Sequence, residues 1–189
     1  MKRLFIGVPI QSESAKILVE IWKNNPELND HMLKWTKPEN WHITLIFMGN
    51  TPESAIPQLQ ELIDESFIGI KAFRSTIKGI GVFPNSHNPK VLWLGIENIQ
   101  TLMPATQHLG ALLQQNGFYL DNKPLKPHLT LARIKNSTHS GAIHSLIDQY
   151  SNFSLGLVAI NKVILYESIS SADGPVYKPV HVHTLSEIE

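Results

Sequence analysis

Apolar and polar positions along this chain follow two periods. Residues 3–9 form a short apolar run of strand length. Residues 41–48, 73–82, 91–96 and 177–185 are further strand-length segments rich in β-branched and aromatic side chains. Residues 153–170 predict two strands joined by a hairpin or a wide turn. Helical spacing takes over in four places. Residues 14–24 place Ile17, Leu18, Ile21 and Trp22 on one face. Residues 54–66 do the same with Ile56, Leu59, Leu62 and Ile63, and Ser54 as N-cap would put Pro57 in the first turn, where its missing N–H costs little. Residues 99–115 turn Leu102, Met103, Leu109, Leu112 and Leu113 inward, with Asn116-Gly117 as the stop. Residues 138–150 form the fourth. Residues 35–40, around Pro38, predict a turn, residues 83–89 a loop, and residues 123–127 a proline-bearing lead into the next strand. The second half repeats the order of the first. The expected fold is α+β: one domain, 1–189, of two pseudo-symmetric lobes, each an antiparallel sheet with helices outside.

One four-residue pattern occurs twice, 86 residues apart: His42-Ile43-Thr44-Leu45 and His128-Leu129-Thr130-Leu131. Successive strand side chains point to opposite faces. His42 therefore shares a face with Thr44, and His128 with Thr130, each backed by two apolar residues. A single such strand is ordinary half-buried sheet. Two copies suggest a duplicated half whose imidazoles and hydroxyls meet. One imidazole can then take a proton while the other gives one, and the hydroxyls can hold an anion.

Composition narrows the chemistry. Of 189 residues, 42% are hydrophobic, enough for an ordinary core. Sixteen basic and sixteen acidic residues cancel, which argues against a protein that coats long duplex nucleic acid but leaves small phosphates and RNA ends open. The absence of cysteine removes disulfides, thiolate catalysis and cysteine-based zinc sites, and fits a reducing compartment. The first ten residues are too short and interrupted for a signal peptide, and no apolar run approaches the ~18 residues of a membrane span. A cytoplasmic protein without a membrane partner is expected. No glycine-rich loop of the P-loop kind is present, which argues against an ATP-driven ligase. His181 and His183 share a strand face like a metal pair, but without a clear third ligand they read as exposed histidines of a tail strand. His31, His87, His108, His139 and His144 read as solvated.

The paired motifs and their surroundings resemble the 2H phosphoesterase superfamily, and within it the RNA 2′,3′-cyclic phosphodiesterases, historically called 2′-5′ RNA ligases. The likeness extends through RLFIGVP at residues 3–9, PENWHITL at 38–45 with Phe47 to Gly49 behind it, GVFP at 81–84, VLW at 91–93, KPHLTLAR at 126–133 and GPVY at 174–177. It implies a site in the cleft between the lobes and hydrolysis of a 2′,3′-cyclic phosphate to a 2′-phosphate without metal or cofactor. It also implies RNA ends or small cyclic nucleotides as partners, in a monomer with no obligatory protein partner. By the same resemblance His42 is the general acid, His128 the general base, and Thr44 and Thr130 bind phosphate oxygens; the sequence alone does not separate the two histidines. Arg133 matches a ligand-contacting arginine, yet its odd offset from His128 puts it on the opposite face of an unbroken strand. Either the strand bulges after Leu131, or Arg133 is a surface charge. Phe5, Phe47 and Tyr177 are available for base stacking. The other readings are another 2H activity, namely 2′,5′-oligonucleotide cleavage, opening of an ADP-ribose cyclic phosphate or reversible 2′-5′ ligation, and a non-catalytic RNA-binding module.

Overall fold

A computed structural model describes residues 1–28, 33–120, 125–135, 140–172 and 174–187. Nine strands form two antiparallel sheets. The first sheet has the order β3(His42–Thr51)-β1(Lys2–Pro9)-β8(Lys162–Ser171)-β9(Gly174–Thr184). The second has the order β2(Leu33–Trp35)-β6(His128–Ile134)-β5(Val91–Glu97)-β4(Phe73–Phe83)-β7(Ser154–Ile160). Helices α2(Ile56–Phe67) and α3(Met103–Gln115) lie against each other and against β9 and β3; α1(Glu13–Lys23) and α4(Ser140–Tyr150) lie against β7 and β4.

The α+β architecture of two sheet-and-helix lobes agrees with the sequence expectation. The lobes are not, however, the two halves of the chain. Strands from both ends build the first sheet, and the middle of the chain builds most of the second. The hairpin expected over 153–170 is likewise absent. β7 pairs with β4 and β8 with β1 and β9, so the chain crosses between sheets at Asn161. Periodicity shows that a segment is extended but not which strand completes its ladder. The turn expected at 35–40 is present, with a 3-10 turn at Pro38–Asn40; only Trp35 departs from it, as the last residue of a short strand, β2.

Helix boundaries follow capping chemistry. Ser12 caps α1, its hydroxyl accepting from the Ala15 N–H at 3.2 Å. The buried stripe is Ala15, Leu18, Val19 and Trp22, so Leu18 and Trp22 turn inward as expected, whereas Ile17 and Ile21 face outward, 62% and 58% exposed. Ser54 does not cap α2; it lies in a 3-10 turn, Glu53–Ala55, and the α-helix starts at Ile56 with Pro57 in its first turn. A 3-10 turn likewise precedes α3, whose first turn contains Pro104. α3 stops where expected: Gly117 adopts φ +81°, and the N–H groups of Gly117 and Phe118 donate to Gln114 and Leu113, a Schellman closure. The expected start of α4 and the lead at 123–124 fall outside the described residues. No described helix is long and apolar enough to cross a membrane.

The apolar backs of both motifs, Ile43, Leu45, Leu129 and Leu131, enter one continuous core with Leu4, Ile6, Leu92 and Leu94. A smaller cluster of Phe5, Ile164 and Tyr166, with Tyr177 packed on it, stands apart.

Candidate active site

The two motif strands belong to different sheets yet contact each other. Their polar faces open on a cleft of about 600 Å³, whose walls include His42, Thr44, Thr130 and Arg133. Both strands bulge at the same motif position. In β3, Thr44 pairs with Gly7 and Ile46 with Ile6, which leaves Leu45 without an opposite. In β6, Thr130 pairs with Trp93 and Ala132 with Leu92, which leaves Leu131 without one. The Leu131 carbonyl is taken up instead by the Thr36 N–H at 2.7 Å. A bulge adds one residue and resets the alternation. Leu131 and Ala132 are both buried, and Arg133 emerges on the same side as His128 and Thr130. Of the two options the sequence left open, the structure contains the bulge.

Each imidazole is oriented by the same device. His42 Nδ1 donates to the Asn40 carbonyl at 2.7 Å, and His128 Nδ1 donates to the Lys126 carbonyl. A carbonyl can only accept, so Nδ1 carries the proton in both neutral rings and Nε2 is the nitrogen left able to take one up. His42 Nε2 lies 3.1 Å from Thr44 Oγ1. Close approach of β1 to β3 needs Gly7, where a Cβ would stand 2.8 Å from the Ile43 carbonyl oxygen. Aromatic rings support the imidazoles. His42 packs on Phe5 (4.8 Å between centroids) and edge-on to Tyr177 (5.0 Å); His128 stands edge-on to Phe83 (4.9 Å) and Trp93 (6.3 Å).

Burial lowers the proton affinity of His42 below the usual imidazole value; the Asn40 carbonyl opposes this and charge on His128 reinforces it. Burial raises the Tyr177 phenol, with Arg133 and Arg3 pulling the other way.

All three stacking candidates border the cleft, but Phe5 is buried against His42, whereas Phe47 and Tyr177 are more open to it. Phe47 occupies the position in β3 that Arg133 occupies in β6, and the Arg3 guanidinium lies 5.1 Å from its ring centre. Nothing in the sequence marks Asn40, Lys126, Arg3 or Lys34 individually as site residues. Backbone carbonyls leave no side-chain signature, and the lysine and arginine look like surface charge until the sheets are assembled.

His181 and His183 share a face as expected, but both bond Asp64 Oδ1 of α2, at 2.9 and 2.8 Å. Among the described residues no three such groups are placed to hold a metal ion. His87, His108 and His144 are exposed, and His31 and His139 lie outside the described residues.

Comparison with known proteins identifies the family. Residues 5–185 match the model of the AKAP7 2′5′ RNA ligase-like domain. A Methanothermobacter thermautotrophicus protein named RNA 2′,3′-cyclic phosphodiesterase is 31% identical over 97% of this chain and 98% of its own length. An Aquifex aeolicus protein of the same name is 32% identical over 94% of each chain. The crystal structure of TT0787 from Thermus thermophilus superposes with a TM-score of 0.79 at 28% identity, over 99% of this chain and 100% of that one. With the family model matched over residues 5–185 and similarity along nearly the whole chain, this chain belongs to the AKAP7 2′5′ RNA ligase-like domain family.

Proposed function

We propose that this protein hydrolyses the 2′,3′-cyclic phosphate of an RNA end or nucleoside to a 2′-phosphate, by acid–base chemistry of two histidines and without a metal. The observation that carries this reading is the pair of imidazoles on facing strands, each with Nδ1 committed to a backbone carbonyl and Nε2 left as the working nitrogen. The names of the similar phosphodiesterases support the choice of substrate.

His128 Nε2 removes a proton from water as its oxygen bonds to phosphorus. The bond from phosphorus to the 3′-oxygen breaks, and the His42 imidazolium gives its Nε2 proton to that oxygen. The products are a 2′-phosphomonoester and a 3′-hydroxyl, and exchange with solvent resets both rings. Thr44 and Thr130 donate to the non-bridging oxygens, and Arg133 supplies a counter-charge where negative charge concentrates. Protonation of His42 also frees Thr44: with Nε2–H as donor, the Thr44 hydroxyl hydrogen can turn to the phosphate.

Incubation with a nucleoside 2′,3′-cyclic phosphate in excess chelator, followed by phosphorus NMR, tests the proposal. The expected product is the 2′-phosphate at the chelator-free rate. A 3′-phosphate would overturn the bond assignment, and a chelator-sensitive rate would overturn the metal-free route. Saturable binding without turnover would point to another 2H substrate or to a binding module.

Asn40 offers a subtler test. Its side-chain amide donates to the Pro175 carbonyl of β9 at 2.8 Å, and this anchors the residue whose own carbonyl holds His42. Asn40→Ala leaves that carbonyl present but loosely held. A weaker hydrogen bond lowers the proton affinity of His42 further, so the acid is lost at lower pH. The alkaline limb of kcat/KM should move down, and the rate at neutral pH should fall by about 2–10-fold, the worth of one hydrogen bond. A limb that stays in place would reduce Asn40 to a structural tie.

A further inference from the structure

The chain as a whole is neutral, but its cleft is not. Arg3, Lys34, Lys37 and Arg133 line it, against one carboxylate, Glu39. A terminal cyclic phosphate carries a single negative charge, for which two imidazoles and Arg133 suffice. Lys34 and Lys37 have no task at that phosphate.

Their placement forms a track. Lys34 of β2 lies directly opposite Arg133 of β6, so both side chains rise on one face, and Lys37 follows after the end of β2. Like charges opposed across a ladder are destabilising. Among the described residues, none of Arg133, Lys34 and Lys37 is in an ion pair. Lys34 also lines the cleft, and its Cε and Nζ lie 3.4 and 3.5 Å from where a Cβ on Gly174 would sit, so the side chain reaches across to the start of β9. Ser168, Ser170 and Ser171 of β8 also line the cleft and bring hydroxyls to it. Cations with no ion-pair partner among the described residues, aligned with a phosphate site and with hydroxyls in the same cleft, suit the next phosphate of a strand.

We propose that Lys34 and Lys37 form a second phosphate subsite, which holds the phosphodiester preceding the terminal cyclic phosphate and makes the protein prefer an RNA strand end to a mononucleotide. The inference rests on the cyclic phosphodiesterase reading for the identity of the terminal group, but its test does not require turnover. Binding of a labelled tetrauridylate ending in a 2′-phosphate is compared with binding of uridine 2′-phosphate across a salt series. The tetranucleotide should bind about tenfold tighter or more, as expected for an added charge-assisted contact. Its affinity should also fall more steeply with salt, by about 0.7 in log–log slope for each extra phosphate neutralised. The excess should collapse in K34A/K37A and return in K34R/K37R. Equal affinities in the unmodified protein, or an excess that survives K34A/K37A, would overturn the subsite. Hydrolysis of a nucleoside cyclic phosphate, measured alongside, judges the other reading. Turnover without a length-dependent affinity sinks the subsite alone. A lysine-dependent length effect without turnover sinks the hydrolase reading and leaves the subsite standing.

Discussion

His42→Ala and His128→Ala should each lower kcat on a nucleoside 2′,3′-cyclic phosphate by about 10²–10⁴-fold, the range for loss of one general acid or base. His42 lines the cleft and His128 shares the polar face of β6 with Thr130, though it is not itself among the residues lining the cleft; the apolar neighbours Ile43 and Leu129 hold the two strands in the core. Truncation therefore removes the proton-transfer group while the ladders of β3 with β1 and of β6 with β5 remain. Far-ultraviolet circular dichroism should be unchanged for both variants. The double variant should fall little below the worse single one, because groups that act on one transition state are not additive. A loss of less than about tenfold for either ring would be too small for an acid or base, and would sink the two-histidine mechanism.

The second large effect separates the two rings. With sulfur in place of the bridging 3′-oxygen, the leaving group is a thiolate, whose conjugate acid ionises near the range of cysteine, about 8.5, and needs no proton in the transition state. On that substrate His42→Ala should recover to within about tenfold of the unmodified protein, whereas His128→Ala should stay about 10²–10⁴-fold down. The reverse pattern would exchange the roles, and equal losses on both substrates would remove the division between acid and base. Charge on His128 disfavours charge on His42, a coupling that is reciprocal and does not by itself assign the two roles. Burial makes the His42 imidazolium a stronger acid than a solvated one. The phosphate, itself an anion, favours the charged ring on binding. In kcat/KM, which reports the free protein, the limb set by His42 should therefore lie below pH 6.5.

Local pattern carried much of this protein. Period two placed His42 beside Thr44, and the 3.1 Å contact between them follows from that alternation. The stop at Asn116-Gly117 follows from glycine's tolerance of positive φ. Leu59, Leu62, Ile63, Leu109 and Leu113 are buried as their spacing predicts. These features depend on residues within one or two turns of each other, so the sequence by itself determined them.

Tertiary structure decided the rest. Which strands share a sheet depends on ladder partners far apart in the chain, such as Phe5 with Tyr166, and repeated element order misled there. The face of α1 turned on capping by Ser12 and on packing of Leu18, Val19 and Trp22, since isoleucines at 17 and 21 fit an apolar face equally well by pattern. The position of Arg133 hung on one unpaired residue, Leu131, whose carbonyl found the Thr36 N–H; a bulge is a property of two strands and the chain beside them. The Nδ1 locks use backbone carbonyls, which every residue has and no sequence distinguishes. The sequence points to His42 and His128 as candidates for proton transfer because chemistry is written in residue type. Their orientation, and the cationic track beside them, came from backbone geometry that only the assembled sheets define.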